Sequence, residues 1–202
     1  MALFYFPSVS QLTIRRGDAI LWQKGGEAVK AKNMALCGLF AALLSLCAWL
    51  CVPAGDILIT LQTFGVFLTL GLLGGRRGSI AILVYLLLGA VGLPVFSGFR
   101  GGLGALLGTT GGYIFGFMLT GLLYWLITAL KDTPATRLTA MILGLLLCYA
   151  CGSYWYMTRY LQADAIALGA VLLKCVVPYV LPDCIKLALA WFLSQRVRRF
   201  VY

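Results

Sequence analysis

The chain has 202 residues, of which 62% are hydrophobic and 11% charged, whereas a soluble domain is roughly half apolar and about a quarter charged. So few charged groups cannot cover a soluble surface, which excludes a soluble globular enzyme and a disordered scaffold and leaves an integral membrane protein. The 16 Lys and Arg against 6 Asp and Glu give a net charge of +10, but the basic residues sit in short clusters between apolar runs, the pattern of cytoplasmic loops rather than of a nucleic-acid-binding face.

Residues 1–33 are expected to be a cytoplasmic extension. The opening Met1–Phe6 is apolar but too short for a signal sequence and ends at Pro7. Runs of about 20 apolar residues suffice to span a bilayer. On that criterion the sequence predicts spans over Met34–Val52, Ile57–Leu73, Ser79–Val95, Thr110–Leu130 and Leu138–Met157. The stretch Ala163–Leu193 is too long for one upright span, and Pro178 and Pro182 interrupt it. A short helix followed by a sixth span from about Pro182 is expected there. The domain reading is therefore an extension over 1–33, a six-helix membrane domain over 34–195 and a basic tail over 196–202.

Alternating the loops puts Arg15, Arg16, Lys24, Lys30, Lys32, Arg76, Arg77, Lys131, Arg137, Arg196, Arg198 and Arg199 on one side, with Arg100 and Arg159 on the other. By the excess of Lys and Arg in cytoplasmic loops, both termini are expected in the cytoplasm of a bacterial cell, with the protein in its inner membrane.

The sequence has no histidine, which removes the commonest general base and metal ligand. Seven cysteines, an odd number spread through apolar runs, do not form a disulfide framework. Cys148 and Cys151 spell C-x-x-C, but inside an apolar run, where cysteine acts as a small hydrophobe. No metal, cofactor or catalytic residue is expected.

Glycine is dense at the centre. Gly104, Gly108, Gly112 and Gly116 recur every four residues, a spacing that on a helix lets a second backbone approach closely. This is the expected role of Gly112 and Gly116. Upstream, Ser97–Gly104 is too glycine-rich for a rigid helix and reads as an irregular loop, a candidate pocket wall. No G-x-x-x-x-G-K-[ST] string occurs, so the chain carries no phosphate-cradling loop of its own.

The residues that stand out are Asp183 and Lys186, three apart within an apolar stretch and hence on one face of a helix. With Pro182 at a helix start, Asp183 is expected in the first turn, where the dipole favours an anion. A charge in a span is costly, so the pair is expected to face a cavity or a partner. Arg100, from the glycine loop, adds a donor able to meet a carboxylate.

Several ordered blocks then resemble the BioY family, the biotin-binding S components of energy-coupling-factor (ECF) vitamin transporters, from about residue 34 to 195. They are Thr60-Leu61-Gln62-Thr63-Phe64, Tyr85 through Gly89, Gly92 and Pro94 to Phe96, Gly101-Gly102-Leu103-Gly104 through Gly108 and Gly111-Gly112-Tyr113, and Pro178-Tyr179 with Pro182-Asp183 and Lys186. Leu58, Thr109, Tyr179 and Pro182 are departures from the usual pattern. The resemblance implies an all-α membrane protein of six transmembrane helices, with an outward-facing pocket in which Asp183 and Lys186 hydrogen-bond biotin. It implies a ligand-facing position for Arg100, where relatives have another polar residue. It further implies partners: a transmembrane coupling subunit, docked through a small-x-x-x-small signal that Gly38 and Ala42 fit, and two ATP-binding subunits. Tyr113, Phe96 and Phe99 are candidates for the apolar lining. The function expected is substrate capture for biotin uptake, without enzyme activity. An S component for another small vitamin, a membrane thiol enzyme using Cys148 and Cys151, and a passive channel are the other readings the residues leave open.

Overall fold

The computed structural model describes residues 16–54, 57–161 and 176–201. The opening Met1–Phe6 and the short helix expected before Pro178 lie outside them. The chain divides into two compact units, Met1–Leu36 and Cys37–Tyr202. In the first, residues 16–36 are helical. The second is a bundle of helices and contains the cavities and packing described below.

Helix α1 runs Arg16–Trp49, so helix begins well before the expected span at Met34. Strands β1 (Cys51–Ala54) and β2 (Ile57–Thr60) pair antiparallel, Cys51 opposite Thr60 and Ala54 opposite Ile57. The span expected from Ile57 therefore does not begin as helix. The β-branched Val52, Ile57, Ile59 and Thr60 favour the pleated pairing instead, and Pro53 blocks continuation of α1. Helix therefore resumes only at Gln62.

Helix α2 (Gln62–Ala90) holds two of the expected spans in one helical run that reverses at Gly74, where φ is 78° and ψ 174°. That backbone conformation belongs essentially to glycine. The reversal is measurable: Gln62 Nε2 donates to the Tyr85 hydroxyl at 2.7 Å, although residues 23 apart on an unbroken helix stand about 34 Å apart. Residues 62–73 and 75–90 are thus two antiparallel arms.

A loop with positive φ at Gly92, Gly98, Phe99 and Gly102 follows, the irregular segment expected from its glycine content. It leads through the single turn α3 (Leu103–Leu106) into α4 (Gly111–Leu130). Two tryptophans tie this loop down: Trp49 Nε1 donates to the Pro94 carbonyl at 2.8 Å and Trp155 Nε1 to the Gly108 carbonyl at 3.1 Å.

Helix α5 (Pro134–Tyr156) begins four residues before the expected Leu138. Thr133 and Thr136 form a reciprocal capping box, and Pro134 occupies the first turn. A π turn, Met157–Leu161, ends it. Helix α6 (Val177–Val201) carries Pro182 inside it. Pro178, not Pro182, takes the tolerated place at the helix start. Asp183 is consequently a full turn further into the helix than expected, beyond the reach of the terminal dipole.

Small residues set the packing of α4 on α5. Gly112 lies against Cys151 and Trp155, Gly116 against Cys148, and Gly144 against Thr120, whose hydroxyl donates to the Gly144 carbonyl at 2.8 Å. Contacts pairing rising with falling residue numbers mean antiparallel helices in steady register. Close backbone approach of this kind drives helix association where lipid removes the hydrophobic incentive. Gly112 and Gly116 thus have the role their spacing predicts, whereas Gly104 and Gly108 lie before α4. Among the described residues, five helical runs are long and apolar enough to cross a membrane, with α2 counted once. With α2 folded into two arms, the bundle is a six-helix, multi-pass membrane protein.

Candidate ligand-binding site

Polar groups are rare inside this bundle, and its buried charges meet at one end, where β2, the beginnings of α2, α4 and α6, and the later part of α5 come together. Asp183 and Lys186, 5% and 8% exposed, lie there on α6. The carboxylate is held by three donors. Lys186 Nζ and Thr63 Oγ1 both donate to Oδ1 at 2.8 Å, and the Tyr149 hydroxyl donates to Oδ2 at 2.7 Å. Three charge-assisted bonds, and not a helix terminus, compensate its burial. A carboxylate offers about four acceptor positions and an ammonium three donors. The pair therefore keeps an acceptor on Asp183 and two N–H groups on Lys186 for a further molecule.

These side chains line an inner cavity of about 60 Å³, with Tyr113, Phe117 and Tyr179 among its aromatic walls. Beside Tyr85, Gln62 stands ready with its own partners: its side-chain oxygen accepts from Thr60 Oγ1 at 3.1 Å. An outer cavity of about 440 Å³ contains Arg100 and the glycine loop. Ser97, Thr110 and Ile114 line both cavities, so the two lie side by side. Together they reach the size usual for small-molecule sites.

The structure thus brings Asp183, Lys186 and Tyr113 into one cavity and puts Arg100 in the adjoining one. Phe96 lines the outer cavity while packing edge-on against Tyr85, with ring centroids 5.4 Å apart. Phe99 departs from expectation: it is 64% exposed and stacks on Trp49 at 4.9 Å, outside both linings. Gly38 and Ala42 are exposed on α1, and nothing lies within 4 Å of where a Gly38 Cβ would stand. Cys148 is buried, lines the inner cavity and points its Sγ at the Tyr113 carbonyl, 3.7 Å away. Neither it nor Cys151 is in a disulfide.

Thr63 and Gln62 stand in a block that carries the family resemblance but, like Tyr149, are not among the expected site residues. The first two had a usable signal, being polar residues at the start of an apolar run. Tyr149 had none, because a tyrosine in an apolar stretch is most often core.

A membrane-embedded helical bundle that encloses a polar, aromatic-walled cavity around a buried ion pair defines a solute-binding membrane protein. A model of the BioY family matches residues 22–202, and the chain belongs to that family. It is 39% identical over 164 residues to the biotin transporter BioY of Thermotoga maritima, covering 80% of this chain and 93% of the relative. It is 37% identical over 171 residues to the probable biotin transporter BioY of Pyrococcus horikoshii, covering 84% and 98%. Its fold is similar, at a TM-score of 0.74 and 26% identity, to the 2.1 Å crystal structure of the S component for biotin from an ECF-type ABC transporter, covering 85% of this chain and 93% of that one. Relatives named as transporters dispose of the thiol-enzyme reading.

Proposed function

We propose that this chain captures biotin as the substrate-binding S component of an ECF-type transporter. The observation that carries the reading is the buried Asp183–Lys186 pair in a cavity that adjoins the space around Arg100. Biotin carries a flat ureido ring with two N–H donors and one carbonyl, an apolar body and a carboxylate. Asp183 accepts from the ureido N–H, Lys186 donates to the ureido oxygen, and Tyr113 packs on the apolar body. The small inner cavity takes the compact ring, and the carboxylate extends into the outer cavity to Arg100. Thr63 and Tyr149 are positioning residues that hold the Asp183 carboxylate.

The pocket opens outward, both termini are cytoplasmic, and the membrane is the inner membrane of a bacterial cell, consistent with the distribution of Lys and Arg over the loops. A chain without a phosphate-cradling loop draws on separate ATP-binding subunits, two in this assembly, through a transmembrane coupling subunit. The exposed Gly38 and Ala42 on α1 suit close docking of that subunit.

Calorimetric titration of the purified protein tests the site. Saturable binding of biotin is expected, with biotin methyl ester weaker. In Arg100→Gln the difference between the two should vanish. Preference for another vitamin over biotin would redirect the reading to a different S component, and absence of saturable binding by folded protein would overturn it. Radiolabelled biotin uptake that survives both Asp183→Asn and Lys186→Ala would overturn the residue assignments.

A further inference from the structure

At the opposite end of the helices, away from the Asp183 cavity, lies a second polar cavity of about 220 Å³. Its walls come from the Gly74 reversal, the end of α4, the connection to α5 and the end of α6. Tyr124, 1% exposed, lines this space, and its buried hydroxyl has no hydrogen-bond partner among the described residues. A buried hydroxyl is rarely left so. Beside it, the Thr128 hydroxyl already donates to the Tyr124 carbonyl at 2.7 Å.

Two guanidinium groups, Arg137 and Arg198, line the same cavity, against a single carboxylate, Asp132. Arg137 donates to Asp132 through Nε and, at 2.7 Å, through Nη2. That fork leaves its other N–H groups available. Arg76, Lys131 and Arg196, all exposed, are sequence neighbours of the cavity's walls and add positive charge around its mouth. The cavity also sits where the apolar runs Gly111–Leu130 and Pro134–Arg159 meet, the level at which lipid headgroups lie.

We propose that this cavity binds a phosphate group, as carried by an anionic lipid headgroup. Arg137 and Arg198 supply charge-assisted bonds from two helices, and the Tyr124 hydroxyl supplies a third donor. A tetrahedral group with several oxygens meets donors arriving from three directions, which one planar carboxylate does less well. Basic pockets between transmembrane helices are known to take such headgroups. The site is independent of the biotin reading, since none of its residues lines the upper cavities.

Native mass spectrometry of the full chain in detergent, titrated separately with phosphatidylglycerol and phosphatidylcholine, tests the proposal. Thermal unfolding with and without inorganic phosphate forms a second arm. Phosphatidylglycerol should bind at least tenfold tighter than phosphatidylcholine. Tyr124→Phe and Arg198→Gln should each weaken it about tenfold, the loss expected for one hydrogen bond to a charged group. Tyr124→Phe removes only a buried hydroxyl that bonds to nothing else described, so its unfolding temperature without lipid should not fall. Stabilisation by inorganic phosphate, lost in both variants, would assign the site to the free ion. Equal binding of the two lipids without any phosphate effect, or binding unchanged in both variants, would overturn the proposal.

Discussion

Replacing Lys186 by methionine strips the Asp183 carboxylate of its only charged partner among the described residues and leaves it the neutral donors Thr63 and Tyr149. Breaking a buried ion pair from one side costs about 3–5 kcal/mol. Asp183 borders a cavity that can admit water, so the lower end, about 3 kcal/mol, is expected. For a chain of this length that corresponds to a fall of about 6–12 °C in Tm. Asp183→Asn/Lys186→Met removes both charges, while the amide keeps partners in Thr63 and Tyr149. Most of the lost stability should return, giving a coupling of about 2 kcal/mol between the two sites. Biotin binding should not return in the double variant, because both the acceptor and the donor proposed for the ureido ring have gone. It should stay weakened at least tenfold, the scale of one charge-assisted bond. Intrinsic tryptophan fluorescence during thermal unfolding in detergent reads the first quantity and calorimetry the second. A double variant as unstable as Lys186→Met alone would refute the argument that burial of an unpaired charge governs this site.

Tyr149→Phe takes one donor from Asp183 without entering the fold's charge balance, and should weaken biotin binding about tenfold by titration calorimetry while Tm changes by only a few degrees. Gly74→Ala forces a Cβ into a conformation that non-glycine residues avoid, and should lower stability by about 2 kcal/mol, seen as a reduced Tm. In the α4–α5 connection, hydrogen bonding from Arg137 holds the Asp132 carboxyl below its ordinary value. A depressed carboxyl contributes stability that is present above its unfolded pKa and lost as pH falls through the folded one. The Tm gap between wild type and Asp132→Asn should therefore be constant from neutral pH down to about 5 and close only below about 4.

The membrane class, the approximate spans and the buried placement of Asp183 and Lys186 are legible in the sequence by itself. Each is a local property: the hydropathy of a run of residues, or a charge where charge is costly. The glycine spacing likewise announced the close contact of α4 with α5, since a period of four marks one helix face. The tertiary structure alone decided the short β pairing before α2 and the place of Pro182 inside α6, and it reduced the expected loop between the second and third spans to a reversal at Gly74. It also decided the partners of Asp183. Thr63 lies 120 residues away along the chain and Tyr149 lies 34 away, and neither distance has any signature in sequence pattern. The exclusion of Phe99 from the cavity is of the same kind, because only the position of Trp49 draws it outward. Local physics chooses which segments enter the membrane, and how those segments pack chooses which of their few polar atoms meet.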